Sequence, residues 1–109
     1  MDHFCDRENR ETKQLVPGIR IRSFWGKEML VAIIDLEPDT LLPIHSHPNE
    51  QAGTVVFGQL ELTIGDETRT LGPQETYIIP AGVEHGGRAA GVPTRVWDVF
   101  SPVREDYKY

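Results

Sequence analysis

Three histidines in two short stretches carry the chemistry open to this chain. His45 and His47 flank one residue in Pro43-Ile44-His45-Ser46-His47-Pro48-Asn49-Glu50-Gln51, and His85 stands in Pro80-Ala81-Gly82-Val83-Glu84-His85. In extended backbone successive side chains alternate faces, so His45 and His47 point one way and Gln51 shares their parity. Convergent imidazole nitrogens are what a divalent ion needs. Taken alone, a His-x-His pair reads as surface or hydrogen-bonded imidazole. The spacing of the rest raises it above that.

From His47 the chain runs three residues to Gln51 and six more to Gly58, and later Pro80-x-Gly82 is followed after two residues by His85. In order and spacing these halves resemble the two motifs of the cupin superfamily, over about residues 36–86. The resemblance implies a small all-β, single-domain jelly-roll β-barrel (a double-stranded β-helix) and one divalent metal ion per chain, held by His45, His47, Gln51 and His85. Imidazole and amide ligands accept zinc, nickel, iron, manganese or copper. The pattern departs at two turn positions, where cupins usually carry glycine and this chain has Asp39 and Gln74. It departs also at Gln51, the usual glutamate position. The neighbouring Glu50 has the wrong parity for the His45/His47 face, although Pro48 can disturb the alternation. Gln51 is the preferred ligand and Glu50 the alternative.

With 109 residues the chain forms one domain and one core. Cys5 is the single cysteine, so no disulfide can form within the chain. With no apolar leader or long apolar run, a cytoplasmic protein without membrane contact is expected. A net charge of -6 argues against a nucleic-acid surface, which wants clustered Lys and Arg.

Residues 1–14 are polar and lack an apolar period, and read as an arm preceding a barrel over 15–109. Beyond them, short apolar runs alternate with turn residues such as Pro17-Gly18, Gly65-Asp66 and Gly72-Pro73. Strands are expected at Ile19–Trp25, Met29–Leu36, Leu41–His47, Thr54–Phe57, Gln59–Ile64, Thr68–Leu71, Thr76–Ile79, Val83–His85 and Thr94–Ser101. Met29–Leu36 and Thr94–Ser101 are apolar on both faces. An outward apolar face calls for cover, and a homodimer is expected to supply it, ahead of cover by the N-terminal arm or by the barrel's other layer.

The chain closes with Trp97-Asp98-Val99-Phe100-Ser101-Pro102-Val103-Arg104-Glu105-Asp106-Tyr107. This ending, with the His-Ser-His-Pro-x-Glu-Gln stretch and the Glu84-His85-Gly86 corner, resembles the pectin-degradation cupins of the KdgF type. The resemblance implies metal-dependent opening of a 4,5-unsaturated uronate, a small carboxylated sugar left by polysaccharide lyases, to its linear keto form. It also implies an active site lined by Asp98, Phe100 and Arg104. The residues read the same way on their own chemistry: Asp98 and Phe100 share one strand face, and an acid among Val96, Val99 and Phe100 calls for a task or a partner. The structural alternative pairs Asp98 with Arg95 or Arg104. Arg104, just past the strand, presents a planar fork suited to a carboxylate. Two rival functions use the same scaffold, a cupin metal dioxygenase and a non-catalytic sugar-binding or sensory cupin.

Overall fold

The computed structural model describes residues 3–109, which form ten strands in two antiparallel sheets. The strands are β1 (Lys13–Val16), β2 (Ile19–Trp25), β3 (Leu30–Leu36), β4 (Leu41–His45), β5 (Glu50–Phe57), β6 (Leu60–Ile64), β7 (Glu67–Leu71), β8 (Thr76–Ile79), β9 (His85–Ala89) and β10 (Thr94–Ser101). One sheet has the order β1-β2-β3-β10-β5-β8 and the other β4-β9-β6-β7. A single 3-10 turn, Glu105–Tyr107, follows β10. The all-β cupin barrel expected from the sequence is the fold observed.

Period-two patterning decides which side of each strand enters the core. On β10 the even residues Thr94, Val96, Asp98 and Phe100 are buried and the odd ones face out. Pairing across four strands then lines up Leu30, Phe100, Gln51 and Ile79 in one inner row, and Ala32, Asp98, Gly53 and Tyr77 in the next. Ile19, Ile21, Val55, Leu60 and Leu62 complete the apolar filling. Asp98 therefore reaches the barrel interior by register alone.

The outer side of the six-stranded sheet carries the opposite residues. Phe24, Val31, Val99, Ala52 and Ile78 form one row across five strands, next to a row containing Ile33 and Trp97. Ile78 is 65% exposed and Trp97 48%, so this face lies open. Residues of the N-terminal arm border only its β2–β3 end, where Phe4 and Cys5 line a groove with Phe24 and Val31, while Arg10 lies over the rings of Tyr109 and Trp25 and its Nε donates to Ser23 O at 3.1 Å. The arm's last residues, Lys13 and Gln14, belong to the edge strand β1, which its polar sequence concealed.

Both glycine departures resolve in the backbone. Asp39 and Gln74 hold φ of 62° and 70°, the left-handed conformation that glycine serves at the corresponding turns. Asp39 is compensated, because its Oδ1 accepts from Arg88 at 2.8 Å and from the Gly91 N–H at 3.1 Å. For Gln74 no side-chain bond is seen among the described residues; its backbone N–H donates to Val55 O at 2.7 Å. A Cβ in this conformation costs about 1–2 kcal/mol, and glycine returns about half of that through its freer unfolded chain. Gln74→Gly is accordingly expected to stabilise the protein by about 0.5–1 kcal/mol, read as a raised midpoint in urea with an unchanged slope.

Candidate metal centre and active site

β4 ends at His45, which pairs with His85 at the start of β9. His47 sits beyond the strand, in the connection from the four-stranded to the six-stranded sheet, and Gln51 is the second residue of β5. The continuous strand expected over Leu41–His47 is thus shorter, and alternation counted from His45 is not what aims Gln51. Pro48 interrupts the extended run, and Gln51 faces inward because β5 starts a new alternation, with Gln51 buried and Glu50 exposed. The turn is pinned from two sides. Gly82 N–H donates to His47 O at 2.9 Å, tying the two sequence stretches together, and buried Asn49 donates through Nδ2 to Pro102 O at 2.7 Å.

The three rings converge, with centroids 4.3 Å apart for His45 and His85, 4.8 Å for His47 and His85, and 5.8 Å for His45 and His47. One ligand atom from each lies within 4.8 Å of the others. Small side-chain rotations bring such atoms to the separations of about 3–4 Å set by metal–nitrogen bonds of roughly 2.1 Å. Each Nδ1 faces a backbone carbonyl two residues away: Pro43 O at 2.8 Å from His45, Asn49 O at 3.0 Å from His47 and Val83 O at 2.9 Å from His85. Nδ1–H donation to these carbonyls fixes the tautomer and turns every Nε2 lone pair toward the cluster.

His47 makes the sharpest test of whether the donors fit an ion. Its Nε2 stands 3.0 Å from Gln51 Oε1 while its Nδ1 faces a carbonyl, so a neutral ring meets two acceptors with one proton. Full protonation is opposed, chiefly by burial and then by the Arg104 charge, which lower the His47 pKa. Burial likewise lowers that of His85. A cation between Nε2 and Oε1 satisfies both lone pairs. Two donors bound at about 2.1 Å and near a right angle sit about 3 Å apart, the spacing found here. The cluster is consistent with the metal site typical of this barrel.

Asp98, 3% exposed, faces the same interior. Burial pushes its carboxyl up to about 6, against the pull of hydrogen bonds from Tyr77 and Gln51 and of the Arg104 charge. Its partner is neither arginine considered from sequence. Arg95 points outward and grips Asp35 at 2.6 and 3.0 Å, while Tyr77 Oη donates to Asp98 Oδ1 at 2.5 Å. Phe100, fully buried, sets its ring edge-on to His47 at 5.5 Å and to Tyr107 at 5.4 Å. The Arg104 guanidinium lies 3.8 Å over the Tyr107 ring and 5.2 Å from that of Phe100, with Nε donating to Asp106 at 3.0 Å. Burial holds the Tyr107 hydroxyl up at about 12, so it stays protonated.

Six of the seven residues singled out in the sequence, His45, Gln51, His85, Asp98, Phe100 and Arg104, line one apolar-walled cavity. His47 is not on that wall and meets the group through Gln51 and the His85 ring. Sequence reading missed Tyr77, Asn49 and Tyr107. For Tyr77 a signal existed: on β8 it shares the inward face with Ile79, and a hydroxyl placed there needs a partner.

An arginine stacked on Tyr107, a buried carboxyl and an imidazole cluster inside a ten-stranded barrel invite comparison with known proteins. A Bacillus subtilis protein named H2HPP isomerase is 38% identical over 72 residues, 65% of this chain, although the chain spans only 30% of that relative's length. In structure, an RmlC-like cupin from Shewanella frigidimarina superposes with a TM-score of 0.93 at 23% identity, covering 99% of this chain and 97% of that one. KdgF from a Halomonas species gives 0.92 at 24% identity, covering 99% and 100%. Residues 32–100, which run from β3 through the histidine cluster to Phe100, match the cupin domain family. The chain belongs to the cupins.

Proposed function

We propose that this cupin opens the ring of 4,5-unsaturated uronates and delivers the linear keto sugar. The observation that carries the reading is Asp98, a carboxyl buried beside the histidine cluster and an arginine in one cavity, where burial pushes its pKa up to about 6. A group with that pKa accepts and returns a proton near neutrality. Support comes also from the similarity of the chain's ending to the KdgF type and from an isomerase among its relatives, since this reaction is an isomerisation.

The substrate has a C4=C5 bond conjugated to its ring oxygen and a hemiacetal at C1. Asp98 takes the C1 hydroxyl proton as the bond from C1 to the ring oxygen breaks. The C1 oxygen's electron pair becomes the carbonyl, and the electrons of the broken bond leave on the ring oxygen as an enolate of C5. Return of the proton to C4 completes the ketone at C5, so no atom or electron is gained or lost. A divalent ion held by His45, His47, Gln51 and His85 would supply Lewis-acid stabilisation of the negative oxygen. With a neutral amide in place of a carboxylate, this ligand set would leave the ion its full double charge. Arg104, stacked on Tyr107 and steadied by Asp106, holds the substrate carboxylate. Phe100 closes the apolar wall that keeps competing water out.

The reading is tested by adding purified, metal-loaded protein to the unsaturated monouronate from a lyase digest and following loss of the C4=C5 ultraviolet band. A rate no greater than the spontaneous one refutes it, and oxygen uptake in its place identifies a dioxygenase.

A second copy of the chain is proposed to cover the open apolar rows of the six-stranded sheet. Twisted sheets pack face to face at about 10 Å, and a two-fold axis sets the same rows of both copies against each other. Sedimentation should show a dimer that Trp97→Glu converts to an active monomer; a wild-type monomer at all concentrations contradicts this.

A further inference from the structure

We propose that Tyr77 is the positioning residue for Asp98, and that residue 53 is glycine so that the tyrosine can reach it. Asp98 on β10 pairs in register with Gly53 on β5, and Gly53 pairs with Tyr77 on β8. The donor and the acceptor therefore stand two strands apart, roughly 10 Å at the backbone, too far for neighbouring side chains to meet directly. A tyrosine spans that gap only if nothing fills the strand between. A Cβ added at Gly53 would lie 2.1 Å from Asp98 Oδ1 and 2.4 Å from the Tyr77 hydroxyl and ring, inside both van der Waals surfaces. The inner row thus carries a slot, and the Tyr77–Asp98 hydrogen bond occupies it at 2.5 Å.

Tyr77 touches neither the histidines nor the cation ligands by any hydrogen bond among the described residues, and its hydroxyl has Asp98 as its partner. Its task is to hold one carboxylate oxygen so that the carboxyl keeps a single orientation in the cavity. This assignment rests on the proposed reading of Asp98 as the group that moves the substrate's proton. A misplacement of about 1 Å in such a group costs up to roughly a hundredfold in rate.

The test is a double-mutant cycle on the full, metal-loaded protein with unsaturated monouronate as substrate, joined to crystal structures of the variants without substrate. Tyr77→Phe keeps the ring and removes the donor. It is expected to lower kcat about tenfold to a hundredfold, leave KM within about twofold, and leave metal content unchanged. In an Asp98→Asn background the same substitution should do almost nothing, because residues acting as a unit are not additive. Gly53→Ala should resemble Tyr77→Phe in kcat and should displace the pair. In the crystal, the Asp98 carboxylate of Tyr77→Phe should be rotated or split between orientations. An unmoved Asp98, or an equal loss in both backgrounds, overturns the positioning role. If the wild type fails to open uronates, the functional reading has failed, and the crystal structures still decide whether Tyr77 orients Asp98.

Discussion

Asp98→Asn is expected to cut the rate of uronate opening by about a hundredfold or more while the protein stays folded and keeps its metal, because the substitution is nearly isosteric and removes one general acid or base. The pH profile should change with it. Wild-type kcat/KM should rise with pH as Asp98 loses its proton, at or below the value of about 6 set by burial because a bound cation would favour the carboxylate, and the variant should lack that limb. Stability gives an independent reading in metal-free protein. The folded-state pKa lies above the ordinary carboxylate value of 3.8, so the native state holds this proton more tightly than the unfolded chain does. The resulting stabilisation is complete below about 3.8 and is lost as pH rises through about 6. Asparagine carries no charge to desolvate. At pH 8 the apo variant should therefore be more stable than the wild type, by up to about 3 kcal/mol from two pKa units, and this advantage should vanish near pH 4. An apo Asp98→Asn protein less stable than wild type at pH 8 would contradict a desolvation cost that outweighs the hydrogen bonds from Tyr77 and Gln51.

His47→Ala should remove the metal. His47 links the two halves of the site through Gly82 N–H at its carbonyl and Gln51 at its Nε2, yet it lies in a connection outside the strands. Deleting its ring takes away a proposed ligand and leaves Gln51 Oε1 without its neighbour, while the sheets lose no backbone pairing and only the edge-on contact with Phe100. Affinity for a divalent ion should fall at least a hundredfold, beyond the loss that follows removal of an outer partner of a ligand. Elemental analysis of tag-free protein should then find near-stoichiometric metal in the wild type and little in the variant, with the thermal midpoints of the two apo proteins alike. Equal metal in both would remove His47 from the set.

Some of this was readable because the residues carry their own punctuation. Ile19–Trp25, Thr76–Ile79 and Thr94–Ser101 fall where turn residues bracket alternating apolar runs, and those strands occur with those bounds. The inward direction of Asp98 followed from its parity with Phe100. What stayed hidden had physical causes. The two histidines of the first stretch were read on one strand, whereas the chain leaves one sheet at His45 and enters the other at Glu50, and nothing local announces a change of sheet. Strand β9 runs His85–Ala89 rather than ending at His85, since Gly86 and Gly87 imitate a loop. Gly86 is in fact packed under β4, where a Cβ would stand 2.8 Å from Leu42 O. The partner of Asp98 lay two strands away, and no sequence spacing encodes a contact that passes over a glycine.

The central claim is that this site moves a proton within an unsaturated uronate with the help of a metal and without an oxidant. NMR of the metal-loaded protein with unsaturated monouronate, run in parallel under air and under argon, tests it most directly. The account predicts open-chain keto product at the same enzyme-accelerated rate in both, and loss of that acceleration on chelation. A reaction that stops under argon, or a rate equal to that of the substrate alone, would contradict it.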